Sequence, residues 1–183
     1  MQAPAPTGPS LASSIDRRIF DAIHGIPHTP VSDRYVSMVS DIGEGLLWVG
    51  IGIGLAALGG PKGQRAGLAT SISALGTTYV VQRLFKPIFR RQRPFVNREL
   101  TVVGVRTSDA SFPSGHSAAS FAAATALTTF YPAAAPLAFA VAGLVGASRV
   151  HLGHHFPSDV AVGAMIGVGT GTLTSAVVRL LRR

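Results

Sequence analysis

Three short polar clusters interrupt a largely apolar chain, and their residue types suit the cleavage of a phosphate ester. The first is Lys86-Pro-Ile-Phe-Arg-Arg-Gln-Arg93-Pro94, the second Ser111-Phe-Pro113-Ser114-Gly115-His116-Ser117, and the third Ser148-Arg149-Val-His151-Leu-Gly-His154-His155-Phe-Pro-Ser-Asp159. A phosphoryl group carries about two negative charges, which Lys86, Arg93 and Arg149 can neutralise as charge shifts in the transition state. Backbone N–H groups at a helix start near Ser114 and Gly115 can hold phosphate oxygens. A neutral imidazole can attack phosphorus. Asp159, four residues past His155, can accept the other ring N–H and fix its tautomer. An alkoxide leaving group needs a proton, which a second histidine, His116, can supply. Each cluster also has a plainer reading: a basic loop on lipid head groups, an N-cap at Ser114, and a polar connection between helices. Taken together they fit a phosphate-cleaving site better.

The elements that must position these clusters belong to a membrane protein. Hydrophobic residues make up 47% of the 183 and charged residues only 13%, against about 25% charged in a soluble domain. The 21 glycines suit transmembrane helices that approach closely. A net charge of +8 raises nucleic-acid binding, but the basic residues alternate with apolar runs and form no basic domain. Anionic lipid and a phosphorylated substrate are the partners expected instead. With no cysteine, disulfides, thiol catalysis and thiolate-bound metal are excluded.

Residues 1–10 read as a disordered Pro-rich tail without the basic start of a signal peptide. Residues 11–24 read as an amphipathic interfacial helix, with Ile15, Ile19, Phe20 and Ile23 on one face and Asp16, Arg17 and Asp21 on the other; a surface helix of a soluble protein is the alternative. The spans expected are Val36–Gly60, Ala66–Phe85, two helices from Ser117 to Ser148 broken at Tyr131-Pro132 and Pro136, and Val160–Val178. The spacings Gly50/Gly54, Gly163/Gly167 and Gly167/Gly171 suggest helix contacts. The fold class is therefore an all-α membrane bundle of five spans, six if the N-terminal helix inserts, with residues 11–183 as one domain.

The three clusters resemble the signature of the type 2 phosphatidic acid phosphatase superfamily: Lys, six residues, Arg-Pro; then Pro-Ser-Gly-His; then Ser-Arg, five residues, His, three residues, Asp. All three parts are present in order, from Lys86 to Asp159. The resemblance implies that His155 is a nucleophile forming a phosphohistidine, Asp159 its orienting partner and His116 the acid that protonates the leaving group. Lys86, Arg93, Ser114, Gly115 and Arg149 would bind the phosphate. It implies no metal or other cofactor. His151, His154, His155 and Asp159 together imitate a metal cluster, but adjacent histidines on one loop chelate poorly. Soluble acid phosphatases and vanadium-dependent haloperoxidases share the signature; the apolar spans favour the membrane branch. A non-catalytic scaffold would be expected to lack His116 or His155.

Short bacterial members of this size look like phosphatases of undecaprenyl pyrophosphate, phosphatidylglycerophosphate or polyprenyl phosphosugars. A polyprenyl lipid is the first substrate expected and a glycerophospholipid the second, at the bacterial cytoplasmic membrane. With five spans, residues 86–112 and 149–158 share one side with the N-terminal helix. Lys62, Arg65, Arg179, Arg182 and Arg183 share the other side, which has no acidic residue. Since Lys and Arg of short loops stay cytoplasmic, the C-terminus should be cytoplasmic and the catalytic side should face outward. A reporter fused to the C-terminus should be active only when it is of the kind that works in the cytoplasm; the opposite pattern refutes this orientation.

Overall fold

A computed structural model describes residues 14–43, 45–96 and 99–181. Among them every regular element is helical, as the composition predicts: α1 (Ser14–His24), α2 (Pro30–Ile42), α3 (Leu46–Leu58), α4 (Gly60–Val80), α5 (Lys86–Phe89), α6 (Gly115–Phe130), α7 (Ala135–His151) and α8 (Pro157–Leu181). A π turn, Val81–Phe85, joins α4 to α5, and a 3₁₀ turn, Pro132–Ala134, precedes α7. The expected tail at 1–10 lies outside the described residues, as do Arg182 and Arg183.

The first expected span, Val36–Gly60, is corrected at both its start and its middle. The helix begins at Pro30, where Thr29 and Ser32 form a capping box: the Thr29 hydroxyl accepts from the Ser32 amide and the Ser32 hydroxyl from the Thr29 amide, each at 3.0 Å. Pro30 at the first helical position gives up no bond, because that N–H has no partner inside a helix. The helix then ends at Ile42, and α2 and α3 are bent by 52°. Gly43 is wedged there. A Cβ on it would collide with Val145 and stand 3.1 Å from the Cβ of His116. The second span starts at Gly60 instead of Ala66. The long uncharged stretch breaks where expected, at Tyr131-Pro132, because proline cannot donate the next helical bond and restricts the residue before it.

Helix α6 sits at the centre, packed against α4, α7 and α8. Its core positions are mostly alanine, including Ala118, Ala119, Ala122, Ala123 and Ala126. The ridge Gly163, Gly167 and Gly171 of α8 lies on the α6 backbone: a Cβ on Gly163 would stand 2.5 Å from the Ser114 carbonyl, and one on Gly167 or Gly171 would strike the carbonyl of Ala118 or Ala122. These two spacings are helix contacts. Gly50/Gly54 is not, since neither residue has an atom within 4 Å of its missing Cβ. Gly52 makes the α3–α4 contact in their place, against Gly67 and Ser71.

Two stretches, Pro132–His151 and Pro157–Leu181, are long and apolar enough to cross a membrane, and the bent α2–α3 pair makes a third if it counts as one span. Helix α4 carries Lys62 and Arg65 near its start, and α6 has only 16 residues. Length and composition thus support at least two spans, short of the five or six expected. The bundle has two chemically distinct ends. Lys62 lies 4.6 Å over the Tyr131 ring, and Arg179 donates to the Thr129 carbonyl at the C-terminal end of α6. The three signature clusters gather at the opposite end.

The expected faces of the first helix are corrected. Asp16 and Phe20 are the buried pair, while Ile15 and Ile19 are 66% and 44% exposed. A buried ion pair at Asp16, described below, turns this residue inward and leaves the two isoleucines for the surroundings.

Replacing Gly167 with leucine should cost about 1–3 kcal/mol, the usual range for overpacking, because the obstacle is backbone. Gly169→Ala, with nothing within 4 Å, should be neutral or stabilising by up to about 1 kcal/mol. Thermal unfolding in detergent measures both; equal Tm values for the two variants would show that the ridge does not bear on α6.

Candidate active site

The third cluster is a tight turn between α7 and α8. Gly153, at φ 82°, reverses the chain in a region that costs glycine nothing. The amides of His154 and His155 both donate to the Arg149 carbonyl, at 3.0 and 3.2 Å. Asp159, in the first turn of α8, accepts from the Phe156 amide at 2.8 Å. His155 is buried against this turn. Its Nδ1 lies 3.5 Å from the Ser111 hydroxyl and 3.7 Å from Asp159 Oδ2, and its Nε2 lies 3.5 Å from Arg93 Nη1. The Asp159 distance is beyond a direct hydrogen bond, but Ser111 donates to the same Oδ2 at 2.6 Å. Acceptors thus crowd Nδ1 and a cation faces Nε2, so the N–H belongs on Nδ1 and the lone pair on Nε2.

Asp159 is held from a second side by a residue the sequence pattern does not single out. Arg91 donates from Nη1 to Asp159 Oδ1 at 2.7 Å and from Nη2 to Asp16 Oδ2 at 2.6 Å. Asp16 also accepts from the Ser158 amide at 2.9 Å and the Ser158 hydroxyl at 2.6 Å. The guanidinium lies 4.4 Å over the Phe156 ring. All three charged groups are buried.

The phosphate-binding candidates converge on this turn. Arg93 donates to the His154 carbonyl at 3.0 Å and to Asp109 Oδ1 at 2.7 Å. Lys86 pairs with the other oxygen of Asp109. Arg149 donates to the Ser40 hydroxyl of α2 at 2.6 Å. His116, in the first turn of α6, lies within electrostatic reach of Arg149, His155 and Lys86. The Ser114 hydroxyl caps α6 through the Ser117 amide at 3.4 Å, and its own amide donates to the Asp159 carbonyl at 3.0 Å. Ser114 therefore stitches α6 to α8, and of the expected amide pair the Gly115 N–H is the one with no partner assigned by helix geometry. Ser111, Asp109, Arg91, Asp16 and Ser40 escape the sequence reading. Ser111 and Arg91 lie inside the quoted clusters, but their partners are 48 to 75 residues away.

Burial pushes the His155 imidazole down to about 3; the Asp159 carboxylate opposes this, and the charges of Arg93 and Arg149 reinforce it. His154 is pushed down to about 4, by burial first and by Arg149 second. Burial also lowers Lys86, against the pull of Asp109. Asp109 lies well below the usual carboxylate range: burial alone would raise it, but bonds from Lys86 and Thr107 and the charge of Arg93 prevail. His155 is thus a neutral imidazole beside a cation, the state a nucleophile needs.

The imitation metal cluster is dispersed. His154 Nε2 faces the Val103 carbonyl at 2.8 Å, and His151 Nδ1 the Ile23 carbonyl at 3.2 Å. Among the described residues, His28, Asp33 and His151 bring their ligand atoms within 4.8 Å of one another. The two imidazoles, however, stack 14° from parallel at 4.4 Å, so their in-plane lone pairs run side by side and do not meet at one ion. His28 instead bonds Asp33 at 2.8 Å.

The shifted imidazoles give stability a pH dependence of known sign. An unfolded histidine binds a proton near 6.5, whereas folded His155 and His154 do so only near 3 and 4. Their contribution is complete above pH 6.5 and is lost as pH falls through that value, at up to about 1.4 kcal/mol per pH unit for each ring. Tm in detergent should therefore drop between pH 7 and pH 5, before carboxylates titrate; a flat Tm over that interval would mean both rings titrate as in a free peptide.

Comparison with known proteins identifies the family. Residues 67–183 match the family model described as PAP2 superfamily. Decaprenylphosphoryl-5-phosphoribose phosphatase of Mycobacterium tuberculosis is 35% identical over 124 residues, 67% of each chain. Undecaprenyl-diphosphatase BcrC of Bacillus subtilis is 27% identical over 90% of this chain and 84% of its own. Among solved structures, Aquifex aeolicus LpxE superposes with a TM-score of 0.70 at 26% identity, covering 88% of this chain and 95% of its own. A transmembrane PAP2-type phosphatidylglycerolphosphate phosphatase from Bacillus subtilis shares the fold, with a TM-score of 0.71 at 24% identity over 93% of this chain and 87% of its own. The chain belongs to the PAP2 superfamily and is an integral membrane phosphatase.

Proposed function

We propose that this enzyme hydrolyses a polyprenyl phosphate or diphosphate through a phosphohistidine on His155, on the outer side of a bundle of five spans. The observation that carries the reading is the His155 environment: Nε2 faces Arg93, while Nδ1 faces Ser111 and Asp159. A phosphoryl group held by Arg93, Lys86 and Arg149 would sit against the lone pair of Nε2. The N–P bond forms as the P–O bond to the lipid breaks. Burial, and then Arg149, lower the proton affinity of His116 in the empty site; the charge of the bound phosphate raises it again, and His116 gives its proton to the departing oxygen. Water then attacks phosphorus, His116 takes up one of its protons, the P–N bond breaks, and phosphate leaves. Asp159 and Ser111 stabilise the positive ring between the two steps. The two prenyl-lipid phosphatases among the relatives, by their names, support a prenyl substrate.

Leaving groups test the two histidine roles. A monophosphate expels an alkoxide, a poor leaving group, whereas a diphosphate can expel a lipid phosphate that needs less protonation. General acid catalysis contributes about 10²–10⁴-fold. His116→Ala should therefore reduce kcat/KM on a prenyl monophosphate by about that factor and much less on the matched diphosphate, whereas His155→Ala should lower both by several orders of magnitude. Equal losses for His116→Ala would remove it as the acid, and His155→Ala activity within tenfold of wild type would refute the covalent route.

A further inference from the structure

Two cations assigned to the phosphate, Lys86 and Arg93, already hold an anion. Asp109 places Oδ2 on the Lys86 ammonium and Oδ1 on Arg93 Nη2, the latter at 2.7 Å. Two carboxylate oxygens thus occupy the two cations as two phosphate oxygens would. The cations are buried, with 7% and 4% of their side chains exposed, but the Asp109 side chain is 38% exposed. It belongs to the irregular segment before α6 and borders an open cleft of about 580 Å³ that also touches Arg106 and Phe95. The backbone around it is fastened: Arg93 Nε donates to the Asp109 carbonyl at 3.2 Å, and the Ser111 amide to the Arg91 carbonyl at 2.8 Å. A rotation about the Asp109 side-chain bonds alone would clear the cations and send the carboxylate into the cleft.

We propose that Asp109 sets the binding threshold of the site: it is an internal competitor that occupies the phosphate position in the resting site and must be displaced by any anion that binds. The proposal rests on the reading above that Lys86 and Arg93 hold the substrate phosphate. Its consequence is a threshold. If the site is open only a fraction of the time, every anion's apparent affinity is reduced by that same fraction, so no ratio of affinities changes. What changes is which anions bind at the concentrations they meet. A membrane enzyme is surrounded by phosphodiester head groups, each with one negative charge and two free oxygens, close to what Asp109 itself offers. A terminal phosphate brings about two charges and three free oxygens, enough to engage Arg149 and the Gly115 amide as well. The diester therefore stays below the threshold and the terminal phosphate passes it.

The test is binding of inorganic phosphate and of dimethyl phosphate, a soluble phosphodiester, to the detergent-solubilised enzyme by calorimetry. Asp109→Asn should tighten both by a common factor of about tenfold or more, the inverse of an open fraction of a tenth or less. Dimethyl phosphate should then compete at concentrations that leave the wild type untouched. Asp109→Ser should behave alike and replaces the asparagine variant if that one does not fold. Asp41→Asn removes the same charge from an exposed position on α2 and should leave both constants within about twofold, since an exposed charge is screened by solvent and salt. Unchanged or weakened phosphate binding in folded Asp109 variants would overturn the proposal and make Asp109 a support for the two cations, and tightening by Asp41→Asn to the same degree would overturn it as a mere field effect. Binding is read without turnover, so failure of the wild type to release phosphate from prenyl lipids would strike the proposed substrate and not this inference.

Discussion

The buried pairing of Arg91 with Asp16 and Asp159 is the interaction on which the rest of the site depends. Burying three charges is expensive, and it is tolerated only where each is paired and its remaining hydrogen-bonding capacity is used. Here most of it is used. Asp16 takes two bonds from Ser158, Asp159 takes bonds from Ser111 and the Phe156 amide, and the Arg91 plane rests on Phe156. Arginine suits the position because its rigid fork reaches two carboxylates at once, which a lysine ammonium cannot do in one plane. Removal of the guanidinium would leave two buried carboxylates facing each other, a change of the kind that costs about 3–5 kcal/mol. The network joins α1, the segment after α5 and the start of α8, with Phe20 of α1 packed on Phe156 beside it. It also sets the position of the carboxylate that faces His155. Asp16 lies outside the stretch that matches the family model, residues 67–183, so a helix beyond the matched region contributes to the order of the catalytic turn.

Close helix packing delivers the second half of the site. The glycine ridge of α8 allows its backbone to touch that of α6, and the first rung of the ridge, Gly163, lies under the Ser114 carbonyl. At that point the Ser114 amide reaches the Asp159 carbonyl. The helix start carrying Gly115 and His116 is thereby fixed relative to the turn carrying His155. In lipid, where no hydrophobic drive pulls apolar helices together, such small-residue contact and interhelical hydrogen bonding must supply the association. Gly43 extends the same logic to α2, whose end lies directly against His116. Packing and chemistry are thus set by the same few positions.

What was legible in the sequence follows from the range of the forces involved. The three clusters carry their own local geometry: an N-capping serine, a turn glycine, an imidazole and a carboxylate four residues apart. Short-range spacing therefore located them and the helices that begin beside them, and Pro132 marked the break between α6 and α7. The Asp16–Arg91–Asp159 network was not legible, because a charge that pairs across 75 residues leaves no periodic trace. Read by periodicity alone, Asp16 belongs on a wet face; the ion pair overrides the apolar patterning of one short helix. The break after Ile42 was invisible for a related reason. Asp41, Gly43 and Gly45 interrupt the apolar run there, but the contact at the bend, Gly43 against Val145, is long-range. The failure of Gly50/Gly54 beside the success of Gly163/Gly167/Gly171 shows that spacing states a capacity for contact while the partner surface decides.

The electrostatics of the resting site point to why a phosphatase of this design would keep a carboxylate among its cations. Lys86 and Arg93 are almost wholly buried, and in such surroundings like charges are poorly screened. Their repulsion already lowers the Lys86 ammonium toward neutrality, with burial as the larger cause. Asp109 holds both cations in place until substrate arrives, so the donors need little reorganisation when the phosphate replaces the carboxylate. Preorganised charge of this kind is the most effective means of stabilising a transition state whose own charge is shifting. The cost is a weaker apparent affinity for every anion. That cost is tolerable for a lipid substrate confined to two dimensions beside the enzyme, where local concentration is high.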